Sequence, residues 1–547
     1  MSSEYAQERT RFCDNFCRDV GDEATSQTIG QSPLVALAVK HAIDDAQDNT
    51  NKLTNSSSTN STFNHSNFAF EFGNMALSDH SAPIESASCL PQYGLLGFDL
   101  ENRDGKLGNP EPILLNTNSP SSVFLCGAQG SGKSYTLSCM LENHLLMNKR
   151  IGSQRQAMPG FVFHYDTNNS GYLAEAASLC SRGIKVRLLV SWSHYQNMKK
   201  LYEDFAIKSG GKIEVRPLLF EDKELTVGHI RNLMAFNDTS AGPPPLYLEV
   251  IQGILRKYGR SGKALSVRKF LEDVDKEGFI PGQQAVLDQR LGLLKNFSAS
   301  TAPDIVKKDL AGKGNKEQIA AEMVRQGLGF QDACIQMEPG SLTIIDLSDP
   351  FVDLGTACTL FDICLTIILK RHRQAVEMKH ISPGLIVTLD EAHKYLDKAL
   401  PAAEVFTASL LTTIREQRHN AARVIVATQE PTISERLMDL CSMTIVHRFN
   451  SPHWFSTIRE HLGGASSMVG DDDQGNKASA KRGDLFQRIL ALRTGESLVF
   501  SPTSWVRGGV EDDKGDYISP TKLGSGVLLM KTRLREGKDA GQTMNAV

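Results

Sequence analysis

Short apolar runs alternate with stretches of helical spacing along residues 110–505. Runs of four to eight mainly apolar residues predict buried strands, and apolar residues that recur every three or four positions predict helices. The runs that predict strands are 112–115, 122–126, 161–166, 185–191, 213–220, 342–346, 384–390, 423–428, 444–448 and 497–501. Helical spacing appears between them, most clearly at 135–146, 171–181 and 357–372. This alternation predicts an α/β fold with a mainly parallel sheet covered on both faces.

Two regions depart from that rhythm. From 226 to about 325 only helical spacing recurs, which predicts a helical insertion. Residues 1–90 predict a disordered N-terminal arm, since 13 of the 16 residues in 49–64 are Asn, Ser or Thr and cannot bury much apolar surface, although a short helix within 32–48 is compatible with the spacing. The predicted organisation is therefore an arm (1–90), an α/β domain (91–510, with the insertion) and a C-terminal extension (511–547).

A glycine-rich loop lies between the strand 122–126 and the helix that follows it. It reads Gly-Ala-Gln-Gly-Ser-Gly-Lys-Ser over 127–134, which is a complete P-loop in the context that such a loop requires. Glycines let backbone N–H groups converge on phosphate oxygens, and the helix start adds its positive dipole end. Lys133 is expected to reach the β- and γ-phosphates, and Ser134 to ligate Mg²⁺. The predicted nucleotide-binding residues are Gly127, Gln129, Gly130, Ser131, Gly132, Lys133, Ser134 and Tyr135.

Two adjacent carboxylates, Asp390 and Glu391, end the apolar run 385–389. Ligands bind at the carboxyl edge of parallel sheets, so these acids predict the second half of an ATPase site. Asp390 is expected to hold Mg²⁺, and Glu391 to orient and deprotonate the attacking water. Gln429 ends the next apolar run and is placed to sense the γ-phosphate. Arg415, with Arg418 one turn further along a helix, is a candidate to neutralise transition-state charge in a neighbouring subunit.

The order of these motifs resembles the HerA–FtsK superfamily of P-loop ATPases, and is more HerA-like than FtsK-like. The resemblance covers roughly 110–505 and includes Asp-Glu-Ala-His (390–393), Arg-x-x-Arg (415–418) and Ala-Thr-Gln-x-Pro (427–431). It implies a RecA-like sheet, ATP with Mg²⁺, hexamers with sites between subunits, and translocation of duplex DNA. Carried over residue by residue, it makes Lys133, Glu391, Gln429 and Arg415 catalytic, and Ser134 and Asp390 the Mg²⁺ ligands. Two departures weaken ring assembly: the family's N-terminal β-barrel has no counterpart, and the Gly-Glu expected soon after Asp166 is missing.

Composition narrows the class of protein without naming a substrate. The formal charge of −4 gives no global case for nucleic acid, so contact with DNA requires a local basic patch such as 370–373 or 477–482. Ten cysteines lack metal-site spacing, no export signal is visible, and no apolar stretch is long enough to span a membrane, which together predict an intracellular protein. Nucleus and cytoplasm are not distinguished.

Two functions of different classes remain open at the sequence level. One is a DNA-translocating ATPase motor, as the resemblance implies. The other is an ATP-dependent switch or assembly protein that acts on a protein partner without moving DNA, which the helical insertion would suit equally well. A secretion-type pump is disfavoured by the lack of a membrane segment, and stimulation by DNA or by a protein partner separates the first two.

Overall fold

The computed structural model describes residues 28–44, 89–101, 107–166, 173–234, 246–261, 265–304, 335–378, 384–461, 485–508, 510–511 and 517–537. Its strands are β1 (Leu34–Ala36), β2 (Tyr93–Glu101), β3 (Leu107–Asn116), β4 (Ser122–Cys126), β5 (Gly152–Ser153), β6 (Gly160–His164), β7 (Lys185–Val190), β8 (Ile213–Pro217), β9 (Ser341–Asp346), β10 (Leu385–Leu389), β11 (Ala422–Thr428), β12 (Met443–Val446), β13 (Glu496–Phe500), β14 (Trp505–Arg507), β15 (Val510–Glu511), β16 (Tyr517–Ile518), β17 (Thr521–Lys522) and β18 (Leu528–Thr532).

One half of the large sheet is parallel. Its strand order is β12, β4, β11, β10, β6, β9, β7 and β8, and every neighbouring pair in that run is parallel. The central strands are buried along their whole length because both faces are covered by other elements. The P-loop strand β4 and the acidic strand β10 lie on either side of β11. This order confirms the predicted RecA-like α/β fold class.

The sheet continues past β12 in a mainly antiparallel half that the sequence did not indicate. The order there is β13, β18, β2, β3, β1, β14 and β17, in which only β1 and β14 run parallel to each other. The predicted C-terminal extension therefore contributes β18 to the middle of the sheet, between β13 and β2.

The prediction of a disordered arm over residues 1–90 is wrong for residues 28–44, and the short helix that the spacing allowed within 32–48 is present over 37–44. Leu34, Val35 and Ala36 are buried and pair with β3, and Ile29, Val39 and Ile43 are fully buried beside them. The arm prediction rested on the polar run 49–64, which says nothing about the apolar residues before it. Residues 1–27 and 45–88 lie outside the described residues.

Helices lie on both faces of the sheet, and four of them form the predicted insertion. The α-helices that cover the parallel half of the sheet and form the insertion are α1 (Lys133–Leu145), α2 (Tyr195–Ser209), α3 (Val227–Leu233), α4 (Leu246–Ser261), α5 (Val267–Asp275), α6 (Pro281–Phe297), α7 (Leu354–Glu377), α8 (Pro401–Arg415), α9 (Glu435–Leu440) and α10 (Pro452–His461). Helices α3 to α6 confirm the helical insertion over its described part. None of the helices in the described ranges is long and apolar enough to cross a membrane.

Two apolar cores, one on each face of the sheet, hold these layers together. On one face, Phe163 of β6 contacts Phe361 of α7 and Phe406 of α8, with ring centroids 5.0 and 5.8 Å apart, and Tyr395 completes the aromatic group. On the other face, Val123 and Leu125 of β4 pack with residues of α1. The P-loop strand and the acidic strand are thus rigidly placed relative to each other.

Candidate nucleotide-binding site

The strand order brings three predicted site segments to one edge of the sheet. Cys126 at the end of β4 pairs with Thr428 near the end of β11, and Leu389 at the end of β10 pairs with Val426. Parallel strands present their carboxyl ends at a common edge. The P-loop, Gln429 and the two carboxylates therefore follow directly from neighbouring strands, as the sequence predicts.

The P-loop is shaped by glycine at positions where a side chain would collide with the backbone. Gly132 has φ of 104°, and a Cβ there would lie 2.6 Å from the backbone nitrogen of Gly495. A Cβ on Gly127 would lie 2.6 Å from the Cβ of His447. The loop is also tied to the turn before β13, since Gly495 N–H donates to the carbonyl of Ser131 (3.1 Å). Gly132 precedes α1, whose first-turn N–H groups have no intrahelical acceptor and suit an anion.

Three predicted catalytic side chains meet at Glu391. Lys133 Nζ lies 2.9 Å from Glu391 Oε1, and Gln429 Nε2 donates to Glu391 Oε2 at 3.2 Å. Lys133 is only 4% exposed. Glu391 itself has φ of 49°, an unusual left-handed conformation for a residue with a side chain. Such strain is found where the surrounding structure requires one orientation, and here it accompanies a carboxylate that both Lys133 and Gln429 contact.

Asp390 lies behind this group and is buried. Its Oδ2 is 3.4 Å from Nδ1 of His164, which is an ion-pair contact rather than a well-formed hydrogen bond. Burial alone would raise the pKa of Asp390, but the contact with His164, together with Lys133 and Lys394, lowers it below its usual value. Burial would likewise lower the pKa of His164, yet Asp346 and Asp390 raise it. Asp390 is therefore a carboxylate at neutral pH.

Further polar residues surround the acidic pair. His393 Nδ1 lies 3.4 Å from Glu391 Oε2 and accepts from the backbone N–H of Gln429 at 3.4 Å. Burial lowers the pKa of His393, and the positive charges of Lys133 and Lys394 lower it further. The negative charge of Glu391 raises it, but the net shift is downward. Lys394 Nζ contacts Asp166 Oδ1 at 3.2 Å. Asp166 thus faces a cation beside the site; residues 167–172, where the family's glutamate was expected, lie outside the described residues.

A buried hydrogen-bonded chain fixes the base of the P-loop helix. His447 contacts the carbonyl of Glu496 through Nδ1 (2.9 Å) and Thr136 Oγ1 through Nε2 (3.1 Å), and Thr136 in turn contacts Thr532 Oγ1 (2.8 Å). Burial lowers the pKa of His447 to about 4, so the ring is neutral. A neutral ring that donates from Nδ1 accepts at Nε2 from the Thr136 hydroxyl.

Arg415 lies at the opposite edge of the sheet from the other predicted site residues. It is the last residue of α8, which runs back from the carboxyl end of β10 to the start of β11. The turn after α8 contacts the first residues of both strands, through Ala421 O to Leu385 N (3.2 Å) and Gln417 O to Ala422 N (2.9 Å). Arg415 is exposed and does not reach the Lys133 site of its own chain. The prediction that Arg418 lies one turn further along the same helix is wrong, because the helix ends at Arg415.

The residues at this edge fit a nucleotide with Mg²⁺. Asp390 Oδ1 is buried and has no hydrogen-bond partner among the described residues. Mg²⁺ in nucleotide sites is bound by one or two protein oxygens plus phosphates. Asp390 and the Ser134 hydroxyl would hold the ion, and Lys133 with the P-loop N–H groups would hold the phosphates.

Sequence analysis missed several residues that build the site. His164 and Lys394 carry signals that it could have used, since His164 is the polar end of an apolar run and Lys394 follows the acidic pair by three positions. Thr532 carries no such signal, because its contact with Thr136 joins residues 396 positions apart in the sequence.

Comparisons with known proteins show distant likeness only. No protein-family model and no curated protein sequence matches the chain. Among solved structures, VirB4 of Thermoanaerobacter pseudethanolicus is similar at 12% identity and a TM-score of 0.38, over 83% of this chain and 99% of that one. The bacterial conjugative coupling protein TrwBdeltaN70 is similar at 10% identity and a TM-score of 0.35, over 77% and 87%. The genome packaging NTPase B204 from Sulfolobus turreted icosahedral virus 2, in complex with ATP-gammaS, is similar at 12% identity and a TM-score of 0.19, over 29% of this chain and 61% of that one. Likenesses at these TM-scores identify neither a family nor a function.

Proposed function

We propose that this chain is a Mg²⁺-dependent ATPase that works as a HerA/FtsK-like motor on duplex DNA. The observation that carries the ATPase is the meeting of Lys133, Glu391 and Gln429 at the carboxyl edge of one sheet, with Asp390 directly beside them. The proposal that the chain is a motor is supported by the order of motifs in the sequence. This part of the proposal includes assembly of the subunits into a ring.

Each residue has a role that follows from its chemistry. Bound ATP supplies the phosphoanhydride bond that water cleaves. Lys133 neutralises phosphate charge, Ser134 and Asp390 contribute oxygens to Mg²⁺, and Glu391 orients water and accepts its proton. Gln429 holds the Glu391 carboxylate through its Nε2 amide, which restricts the directions in which that carboxylate can point.

The test is steady-state ATP hydrolysis by the purified full chain, with and without duplex DNA. Glu391→Gln keeps the shape of the side chain but removes the base, so we expect nucleotide binding to persist while turnover falls by about 10²–10⁴-fold. Lys133→Ala removes the phosphate-binding cation, so we expect nucleotide binding to be lost. Normal turnover by the first variant, or tight binding by the second, would contradict the assignment of the site.

The DNA arm of the same assay separates the motor from the switch. Several-fold stimulation by duplex DNA, absent in Glu391→Gln, supports the motor. A hydrolysis rate that does not change with DNA would support the ATPase assignment but not the motor. It would favour the switch, in which a protein partner binds and the helical insertion α3 to α6 offers a separate surface for it.

A further inference from the structure

His164 is the last residue of β6 and lies between two acidic residues of the neighbouring strands. The strand order β9, β6, β10 makes Asp346 its register partner on one side, and Asp390 follows β10 on the other. The backbone N–H of Asp390 donates to the carbonyl of Phe163 at 3.0 Å, which places Asp390 beside His164. The three side chains belong to residues that are only 3%, 1% and 4% exposed. The candidate site therefore contains a buried histidine to which the proposed chemistry has given no role.

The acid on the β9 side is held by groups other than the histidine. The Tyr202 hydroxyl of α2 donates to Asp346 Oδ2 at 2.6 Å, and the backbone N–H of Ser348 donates to Asp346 Oδ1 at 3.0 Å. The Tyr202 hydroxyl in turn accepts from the N–H of Ala174 at 3.0 Å. Both oxygens of Asp346 thus have partners, so its orientation does not depend on His164.

The acid on the β10 side has two oxygens in different surroundings. Asp390 Oδ2 lies 3.4 Å from His164 Nδ1, whereas Oδ1 is buried and has no hydrogen-bond partner within the described part of the chain. The contact at Oδ2 needs a proton on Nδ1, which a neutral imidazole carries in one of its two tautomers. With Oδ2 facing the histidine, Oδ1 is the oxygen that is left to bind a cation. The direction of that oxygen matters for Mg²⁺, which requires near-ideal octahedral geometry.

We propose that His164 is a positioning residue that holds the Asp390 carboxylate through Oδ2, so that Oδ1 binds Mg²⁺. This inference rests on the proposed Mg²⁺-dependent ATPase and adds the residue that orients its metal ligand. Groups that contact a metal ligand from behind fix its direction, and their loss typically lowers metal affinity about 10–100-fold. His164 acts through Asp390 and is not itself a ligand of the ion.

The test measures how much Mg²⁺ the full chain needs in order to bind AMP-PNP, a nucleotide analogue that resists hydrolysis. Calorimetric titrations at increasing Mg²⁺ give the half-saturating concentration, and titrations in EDTA give the affinity without metal. For His164→Gln we expect the half-saturating Mg²⁺ concentration to rise about 10–100-fold, while the affinity in EDTA stays unchanged. Ca²⁺ accepts a flexible arrangement of oxygens, so we expect a smaller rise when Ca²⁺ replaces Mg²⁺.

Matched variants separate orientation from packing. In His164→Asn the amide nitrogen takes the place of Nδ1, so we expect a Mg²⁺ requirement close to that of the wild type, whereas the longer glutamine places its amide near the position of Nε2. His372→Leu alters a comparably buried histidine beside Gly384, at the other end of β10, and is expected to change neither titration. Asp390→Asn weakens the ligand itself and is expected to raise the Mg²⁺ requirement at least as much as His164→Gln. His164→Ser, which reaches neither position, replaces the glutamine variant if that variant does not fold.

The outcomes for the positioning role and for the proposed site are distinct. A wild-type Mg²⁺ requirement in His164→Gln, or equal increases in His164→Gln and His164→Asn, would overturn the positioning role. Equal increases for Mg²⁺ and Ca²⁺, or a loss of affinity in EDTA as large as that with Mg²⁺, would overturn it too, because neither depends on the direction of Oδ1. A wild-type chain that does not bind AMP-PNP, or an Asp390→Asn chain with the wild-type Mg²⁺ requirement, would instead refute the proposed site on which the inference rests.

Discussion

At the scale of single residues, the strained and buried side chains lie where the proposed chemistry needs them. A left-handed conformation at a residue other than glycine costs about 1–3 kcal/mol. Glu391 has this conformation, and its carboxylate contacts Lys133 and Gln429. The contacts over-determine one orientation of Glu391, which offsets the strain and holds the proposed base ready.

Three buried histidines predict how stability depends on pH. Burial lowers the pKa of His144, His372 and His447 to about 4. The histidines of the unfolded chain therefore bind protons near pH 6.5, whereas those of the folded chain do so only near pH 4. The free energy of unfolding therefore falls as the pH drops from about 6.5 towards 4. At pH 5 we expect each histidine to lower the free energy of unfolding by about 2 kcal/mol relative to neutral pH.

His372→Leu provides the matched variant for this prediction, because leucine is similar in size and does not titrate. We expect the wild-type melting temperature to fall more steeply between pH 7.5 and pH 5 than that of the variant. Thermal unfolding followed by circular dichroism at both pH values measures the difference, and identical falls would show that His372 does not titrate as its burial implies.

At the scale of elements, the strand β18 links the end of the chain to the P-loop helix. Its Thr532 side chain contacts Thr136, and the next residue, Arg533, forms the buried pair with Glu142. Arg533 Nε also donates to the carbonyl of Leu95 at 2.7 Å, which joins β2 to the same group. An element that composition alone describes as an extension is thus part of the central packing.

We predict a large loss of stability when one partner of this pair is removed. Arg533→Leu leaves the buried Glu142 carboxylate without its ion-pair partner, although the N–H groups of Glu536 and Gly537 still donate to it. Removing one partner of a buried ion pair costs about 3–5 kcal/mol. The double variant Arg533→Leu with Glu142→Leu has no unpaired charge, so we expect it to recover part of the loss. Thermal unfolding of the two single variants and the double variant measures this, and strictly additive losses would mean that the two side chains do not act as a pair.

At the scale of the whole molecule, the candidate site and Arg415 lie at opposite edges of the sheet. Arg415 therefore does not complete the site of its own chain. The proposal that Arg415 is catalytic requires it to act on the site of a neighbouring chain.

Mixing two inactive variants tests whether Arg415 acts on a neighbouring chain. Arg415→Ala lacks the arginine and Glu391→Gln lacks the base, and each alone is expected to lose at least about tenfold in ATP turnover. In a mixture, some interfaces combine an intact Glu391 with an intact Arg415, so hydrolysis should rise above that of either variant alone. A mixture no more active than its components would exclude action between subunits, and Arg418→Ala tests the neighbouring arginine in the same way.

The fold class and much of the site could be predicted from local sequence. The P-loop, the pair Asp390 and Glu391, and Gln429 each begin directly after an apolar run, so parallel strands bring them to one edge of the sheet. The second half of the sheet could not be predicted in this way. Antiparallel partners such as β18 and β2 are more than 400 residues apart, and nothing in their own sequences specifies the pairing.

By itself, the sequence determined the strands of the parallel half of the sheet, which loop can hold phosphate and which acids lie beside it, because these depend on the spacing of neighbouring residues. Only the tertiary structure decided that Leu34–Ala36 join the sheet, that Arg415 lies away from its own site, and that Arg533 and Arg535 pack beside the P-loop helix. These placements depend on contacts between distant segments, whose energy comes from burial and charge pairing that appear only after the chain has folded.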